Sequence, residues 1–166
     1  GESHRGIYLM PSGVVPARTP EFAQRYGLHP ETRSLAEVPL IRIDVPTSDP
    51  EWVNWSEWSR RTAVRIEPTE PDRAPLPQVA LSGSGLRLAR SGIGLVLGGL
   101  SEILYAVEDG SLVFPLGRRS IVPSSYWHRL IWLKERRLGP AQRSVRDWIA
   151  GFAASDRERM NNLFGV

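Results

Sequence analysis

Apolar residues in this chain come in short runs whose period changes from segment to segment, and those changes mark out the elements. Residues 1 to 40 carry apolar pieces broken at Pro11, Pro16, Pro20, Pro30 and Pro39. Proline removes a ladder donor and biases its predecessor away from helix, so this stretch reads as irregular connecting chain with one short helix near Glu21 to Tyr26. The run PLIRID, Pro39 to Asp44, is apolar and β-branched and predicts a buried strand. Asp49 then stands at an N-cap position and Pro50 at the first helical one, opening a helix through EWVNWSEWSRR. Trp52, Trp55 and Trp58 recur every third residue. That spacing drifts about 60° per step around a helix, so the indoles form a broad packing face, with an edge able to touch a ligand.

TAVRIEP and LPQVAL read as two further strands. A helix from Ser84 to Arg90 gives way at Ser91-Gly92 to the strand IGLVL; LSEILYAVEDG reads as a helix ending at Asp109-Gly110, and SLVFPL as another strand. Alternating strands and helices argue for an α/β layer with mostly parallel pairing and right-handed crossovers. The closing segment is a strand, apolar on both faces over Leu130 to Leu133, and then a helix from Pro140. In that helix Val145, Trp148, Ile149 and Phe152 fall at i, i+3, i+4 and i+7, a stripe that should face a core. Such a strand belongs inside a sheet, yet the preceding sequence offers few partners for it.

Composition narrows the class. The 166 residues, 18.6 kDa, suffice for one domain or two small lobes. No cysteine is present, which excludes disulfides, thiolate metal sites and thiol catalysis. No apolar run is long enough for a membrane span and no signal peptide opens the chain, so the reading is a cytoplasmic protein with no membrane partner. Residues 118 to 166 hold ten Arg/Lys against four Asp/Glu, but Lys134 is the only lysine, and arginine usage of that kind follows from GC-rich codons. The basic tail is therefore weak evidence for a phosphate-binding face.

Enzyme chemistry is not signalled. His4, His29 and His128 are scattered, Ser84 lacks nucleophile-elbow spacing, and Gly92, Gly94 and Gly98 miss the dinucleotide pattern by one residue and lead into a strand. Asp44, Asp49 and Glu51 could group as carboxylates, but helix capping accounts for the last two. The expectation is a non-enzyme with no metal and no cofactor.

Two stretches together, SGLRLARSGIGLVLGGLSEILYAVEDGSLVFPL and YWHRLIWLKERRLGPAQRSVRDWIAGFA, resemble the effector-binding domain of LysR-type transcriptional regulators. The matching features are Ala89 to Gly94, Asp109 to Val113, Tyr126-Trp127 and Arg146-Asp147-Trp148, in the family's order. The tryptophan-rich helix after LIRID is similar to that of the branch containing the glycine-cleavage activator and the β-lactamase regulator. The resemblance implies an α/β, periplasmic-binding-protein-like (type 2) fold of two lobes, the second lobe complete and the first incomplete. Residues 1 to 39 would end the first lobe and form the outgoing hinge, 40 to 118 the second lobe, 119 to 154 the returning hinge with the last strand and helix of the first lobe, and 155 to 166 a tail. The DNA-binding helix-turn-helix and the opening of the first lobe would precede Gly1.

The resemblance also implies a small, anionic effector in an interlobe cleft, operator DNA bound only through that absent helix-turn-helix, and a homodimer or tetramer. Its cleft positions map onto Pro46, Thr47 and Ser48 after the first second-lobe strand, onto Ser82 before the glycine-rich helix, and onto Tyr126. Capping of turns and helix is the alternative role for Thr47, Ser48 and Ser82, and hinge packing for Tyr126. Leu86 and Leu88 are the matching dimer-contact positions, or else pack on their own sheet. A stand-alone solute-binding protein and an orphan interaction domain are the competing readings.

Overall fold

The opening residues depart most from the sequence reading. His4–Ala17 is one long strand, β1, where the prolines suggested irregular chain. A strand tolerates proline wherever the missing N–H would meet no neighbour, and Pro16 pairs opposite Leu97 in a register running from Val14 opposite Gly99 to Ala17 opposite Val96. The short helix is present as α1, Pro20–Arg25.

The computed structural model describes residues 3–66 and 77–166. It divides into a central unit, residues 13–123, and a terminal unit, residues 1–12 with 124–166. The chain passes between them twice, within β1 and within β5, Val122–Leu133.

In the central unit β2 (Leu40–Ile43) pairs in parallel with β3 (Gln78–Val79) on one side and β4 (Leu95–Gly99) on the other, and the last residues of β1 run antiparallel to β4. Helices α2 (Trp55–Thr62), α3 (Ser82–Arg90) and α4 (Leu100–Glu108) follow β2, β3 and β4. Residues 13 to 39 belong here rather than with a hinge, because Phe22, Ala23, Leu28, Leu35 and Val38 share a core with Leu40, Trp55, Trp58, Leu95 and Leu116. On the other sheet face Ile41, Ala89 and Val96 make a smaller cluster.

Four local expectations need correction. Helix α2 begins after Asn54, whose side chain accepts from the Glu57 N–H, while Asp49 caps a turn by accepting from Glu51 N–H. TAVRIEP contributes only a bridge between Ser34 and Arg65, with Glu67 and Pro68 outside the described residues. LPQVAL shrinks to the two residues of β3, and its Leu76 is likewise outside. SLVFPL is a single bridge, Arg18 to Val113, ended where Pro115 has no N–H to extend a ladder. Glycines after α3 serve the fold: Gly92 turns with φ +73°, and a side chain at Gly98 would meet Ile103 Cγ2 at 2.7 Å.

The tryptophans are packing residues. Trp55 and Trp58 are buried, edge-to-face at 5.4 Å, and their indole N–H groups donate to the carbonyls of Ile41 and Ser120. Trp52, before the helix, is 37 % exposed. On the outer face Glu57 accepts from Arg60 and Arg61, which holds its carboxyl down at about 2. A carboxylate lowered in the fold stabilises above its ordinary value and ceases to as it protonates. Acid titration followed by far-ultraviolet circular dichroism should therefore show Glu57→Gln losing less stability than the parent over the window from 4.5 down to about 2, in which the parent loses this contribution.

In the terminal unit β5 lies against the first half of β1, with Lys134 N–H donating to Ser3 and the Leu130 carbonyl facing Gly6. The strand expected inside a sheet is outermost in the order β3-β2-β4-β1-β5. Helix α5 runs from Pro140 to Phe164, so residues 155 to 164 are helix, not tail. Its second half is buried through Ala153, Met160 and Phe164, and Arg157 donates to the Leu9 carbonyl at 2.5 Å. The first half is bare. Val145, Trp148 and Phe152 are 55, 64 and 55 % exposed, and on β5 Ile131 and Leu133 are 54 and 51 %.

Candidate functional site

Parallel strands put the first turns of their following helices at one edge, where open α/β sheets bind ligands. Here the carboxyl ends of β2, β3 and β4 deliver the loop holding Pro46, Thr47 and Ser48, the start of α3 at Ser82, and the start of α4. Pro46, Thr47 and Ser48 are exposed. Thr47 Oγ1 accepts from the Asp49 N–H at 3.1 Å, which supports its turn-capping role without closing its hydroxyl to a ligand.

Ser82 does not cap α3. The cap position is Leu81, and Ser82 Oγ donates to Glu102 Oε1 at 2.7 Å. The other carboxylate oxygen of Glu102 accepts from the Gly99 N–H at 3.3 Å. Glu102 thus ties the starts of α3 and α4 together. At the ends of β3 and β2, Gln78 donates to Asp44 Oδ2 at 2.5 Å. The sequence reading missed Glu102 and Gln78. A glutamate three residues into a helix that follows a cap position was the available signal for the first.

The edge offers three hydroxyls, one amide and two carboxylates, a set suited to hydrogen-bond recognition. None of the three histidines lies in the segments that join β2, β3 and β4 to the helices after them. Glu102 also places a negative charge at the start of α4, the spot where an anionic ligand group would otherwise find free N–H groups.

Tyr126 lies in the terminal unit, half-exposed on β5, with its N–H held by Ser124 Oγ. Leu86 and Leu88 pack, half-buried, on the Ile41 cluster of their own sheet. Among the described residues no three side chains are grouped to hold a metal, and no helix is long and apolar enough to cross a membrane.

No family model matches the sequence. Among solved structures, the effector domain of the transcriptional regulator AmpR of Pseudomonas aeruginosa superimposes with a TM-score of 0.65 at 19 % identity, over 95 % of this chain and 69 % of that one. The regulatory domain of CrgA, a LysR-type transcriptional regulator from Neisseria meningitidis, gives 0.59 at 17 % identity, over 92 % and 72 %. The fold is that of a LysR-type effector-binding domain. In sequence, the HTH-type transcriptional regulator DsdC of Escherichia coli K12 is 25 % identical over 148 residues, 78 % of this chain. The chain spans 45 % of that relative's length, so it corresponds to less than half of such a regulator. The fold is periplasmic-binding-protein-like in architecture, and β1 and β5 each contribute residues to both units.

Proposed function

We propose that this chain is the effector-sensing part of a LysR-type transcriptional regulator, with DNA binding and assembly into a homodimer or tetramer depending on the whole protein. One observation carries the reading: a LysR-type effector-domain fold matched over nearly the whole chain, with the hydroxyls of Thr47, Ser48 and Ser82 gathered at the carboxyl edge of its parallel strands. A small effector is held there, and it acts by favouring one arrangement of the protein over another. Ser82 spends its one hydroxyl hydrogen on Glu102, so its Oγ faces a ligand as an acceptor, and an anionic group would be held by the backbone N–H groups of the first turn of α3. Glu102 bars a second anionic group from the start of α4. Tyr126 is proposed as an aromatic contact and Leu86 and Leu88 as partner contacts, each tested by its own alanine variant.

Thermal-shift measurements with millimolar succinate and neutral polyols as probes test the site. Ser82→Ala and Thr47→Ala should each weaken the shift of any stabilising probe while lowering unliganded stability by about 1 kcal/mol or less. Probes that stabilise parent and Ser82→Ala equally would remove this edge from the account.

The bare face of the terminal unit supports the same reading. Apolar residues at i, i+3 and i+7 are not kept in water by a stable helix without a covering layer. This chain aligns to 69 % and 72 % of the matched effector domains, so somewhat under a third of each has no counterpart in it. We infer that further first-lobe chain of the same protein covers Val145, Trp148 and Phe152.

A further inference from the structure

Among the described residues, Arg18 is the only charged side chain fully withdrawn from solvent. Its main chain is committed, exchanging hydrogen bonds with Val113 in both directions. Its side chain is nearly unserved. Nε donates to the neighbouring Thr19 carbonyl at 3.3 Å, and the guanidinium lies over the Phe22 ring at 3.1 Å. Nη1 and Nη2 are buried and meet no acceptor among the described residues.

Those two nitrogens carry four N–H donors and share one positive charge. Burial lowers the group to about 9, which leaves it protonated at neutral pH. An aromatic face offsets part of the cost of a buried cation but accepts none of its in-plane N–H groups. Buried charges in stable proteins are paired.

The position separates this group from the effector edge. Ala17 pairs with Val96 at the start of β4, whereas Gly99, where Glu102 and Ser82 meet, pairs with Val14. Arg18 and Gly99 are therefore four strand positions apart, about 13 Å along the strand.

We propose that Arg18 anchors a second, buried site for a compact monovalent anion, a halide or a carboxylate group, which accepts from Nη1 and Nη2. One fixed charge calls for a single counter-charge, and the guanidinium fork presents two parallel donors to it. Because both nitrogens are buried, the guest must be compact. The site is independent of the effector reading.

Thermal unfolding of the full 166-residue chain and its Arg18→Met variant, each in sodium chloride, sodium bromide and sodium acetate from 1 to 100 mM, tests this. The parent midpoint should rise by about 5 °C or more over the series, with Arg18→Met flat and Ser82→Ala still responding. A response to halides alone identifies a free ion, and a response to acetate alone a carboxylate. Equal slopes in parent and Arg18→Met would overturn the proposal. Should Arg18→Met fail to fold, a crystal of the parent grown in bromide decides: an anomalous peak within hydrogen-bonding distance of Nη1 and Nη2 supports the site, and its absence sinks it.

Discussion

Trp58→Ala should lower the stability of the central unit by about 4 kcal/mol in chemical denaturation, the range for deleting a large buried aromatic. Trp58 has no exposed surface, lies edge-on to Trp55, and its indole N–H is the partner of the Ser120 carbonyl, 62 residues away. Its loss leaves a cavity between α2 and the core and strips a buried acceptor of its donor. Trp58→Phe separates the two effects by keeping most of the ring while removing the donor, and should cost about half as much. A loss below about 1 kcal/mol for the alanine variant would mean that the packing face of α2 is not central to this unit.

Trp148→Ser should have two opposite outcomes, depending on how much chain is present. In the 166-residue chain Trp148 is 64 % exposed and touches Phe152 edge-on at 5.0 Å, so the change should fall within about 0.5 kcal/mol and reduce self-association. In a protein extended by its preceding residues the same substitution should cost about 3 kcal/mol or more, because the indole would then be buried. Denaturation midpoints of the two pairs measure the difference. Equal, small effects in both lengths would show that nothing in the longer protein covers α5.

These two tryptophans show what the sequence could reveal and where it stopped. The apolar runs of β2 and β4 are local signals and lie within about two residues of their predicted places, and α2 forms in its predicted segment but starts at Trp55 instead of Pro50. The stripe of Val145, Trp148 and Phe152 reads as a face packed on a core, and it is exposed; the Trp148 pair tests the proposal that further chain covers it. β1 was lost because prolines are read as breakers, whereas their effect depends on which strand edge their nitrogen faces. SLVFPL has strand composition but finds one partner residue, Arg18, and composition alone does not count partners.

The candidate edge was legible in the same uneven way. Ser82 was found from resemblance, and both roles considered for it, cap and ligand contact, overlooked its bond to Glu102. That bond joins residues twenty positions apart, and only the parallel pairing of β2 with β3 and β4 brings them together. Arg18 could not be singled out at all. Nothing in its neighbours predicts a buried guanidinium, and an arginine-rich composition hides one unusual member.

The most direct test of the central claim is amide hydrogen exchange over Tyr126–Leu133 and Pro140–Phe152, compared between the 166-residue chain and the protein extended toward its N-terminus. The account predicts exchange at least about tenfold slower in the extended protein across both segments, as burial of β5 and the first half of α5 requires. Unchanged rates in both segments would contradict it.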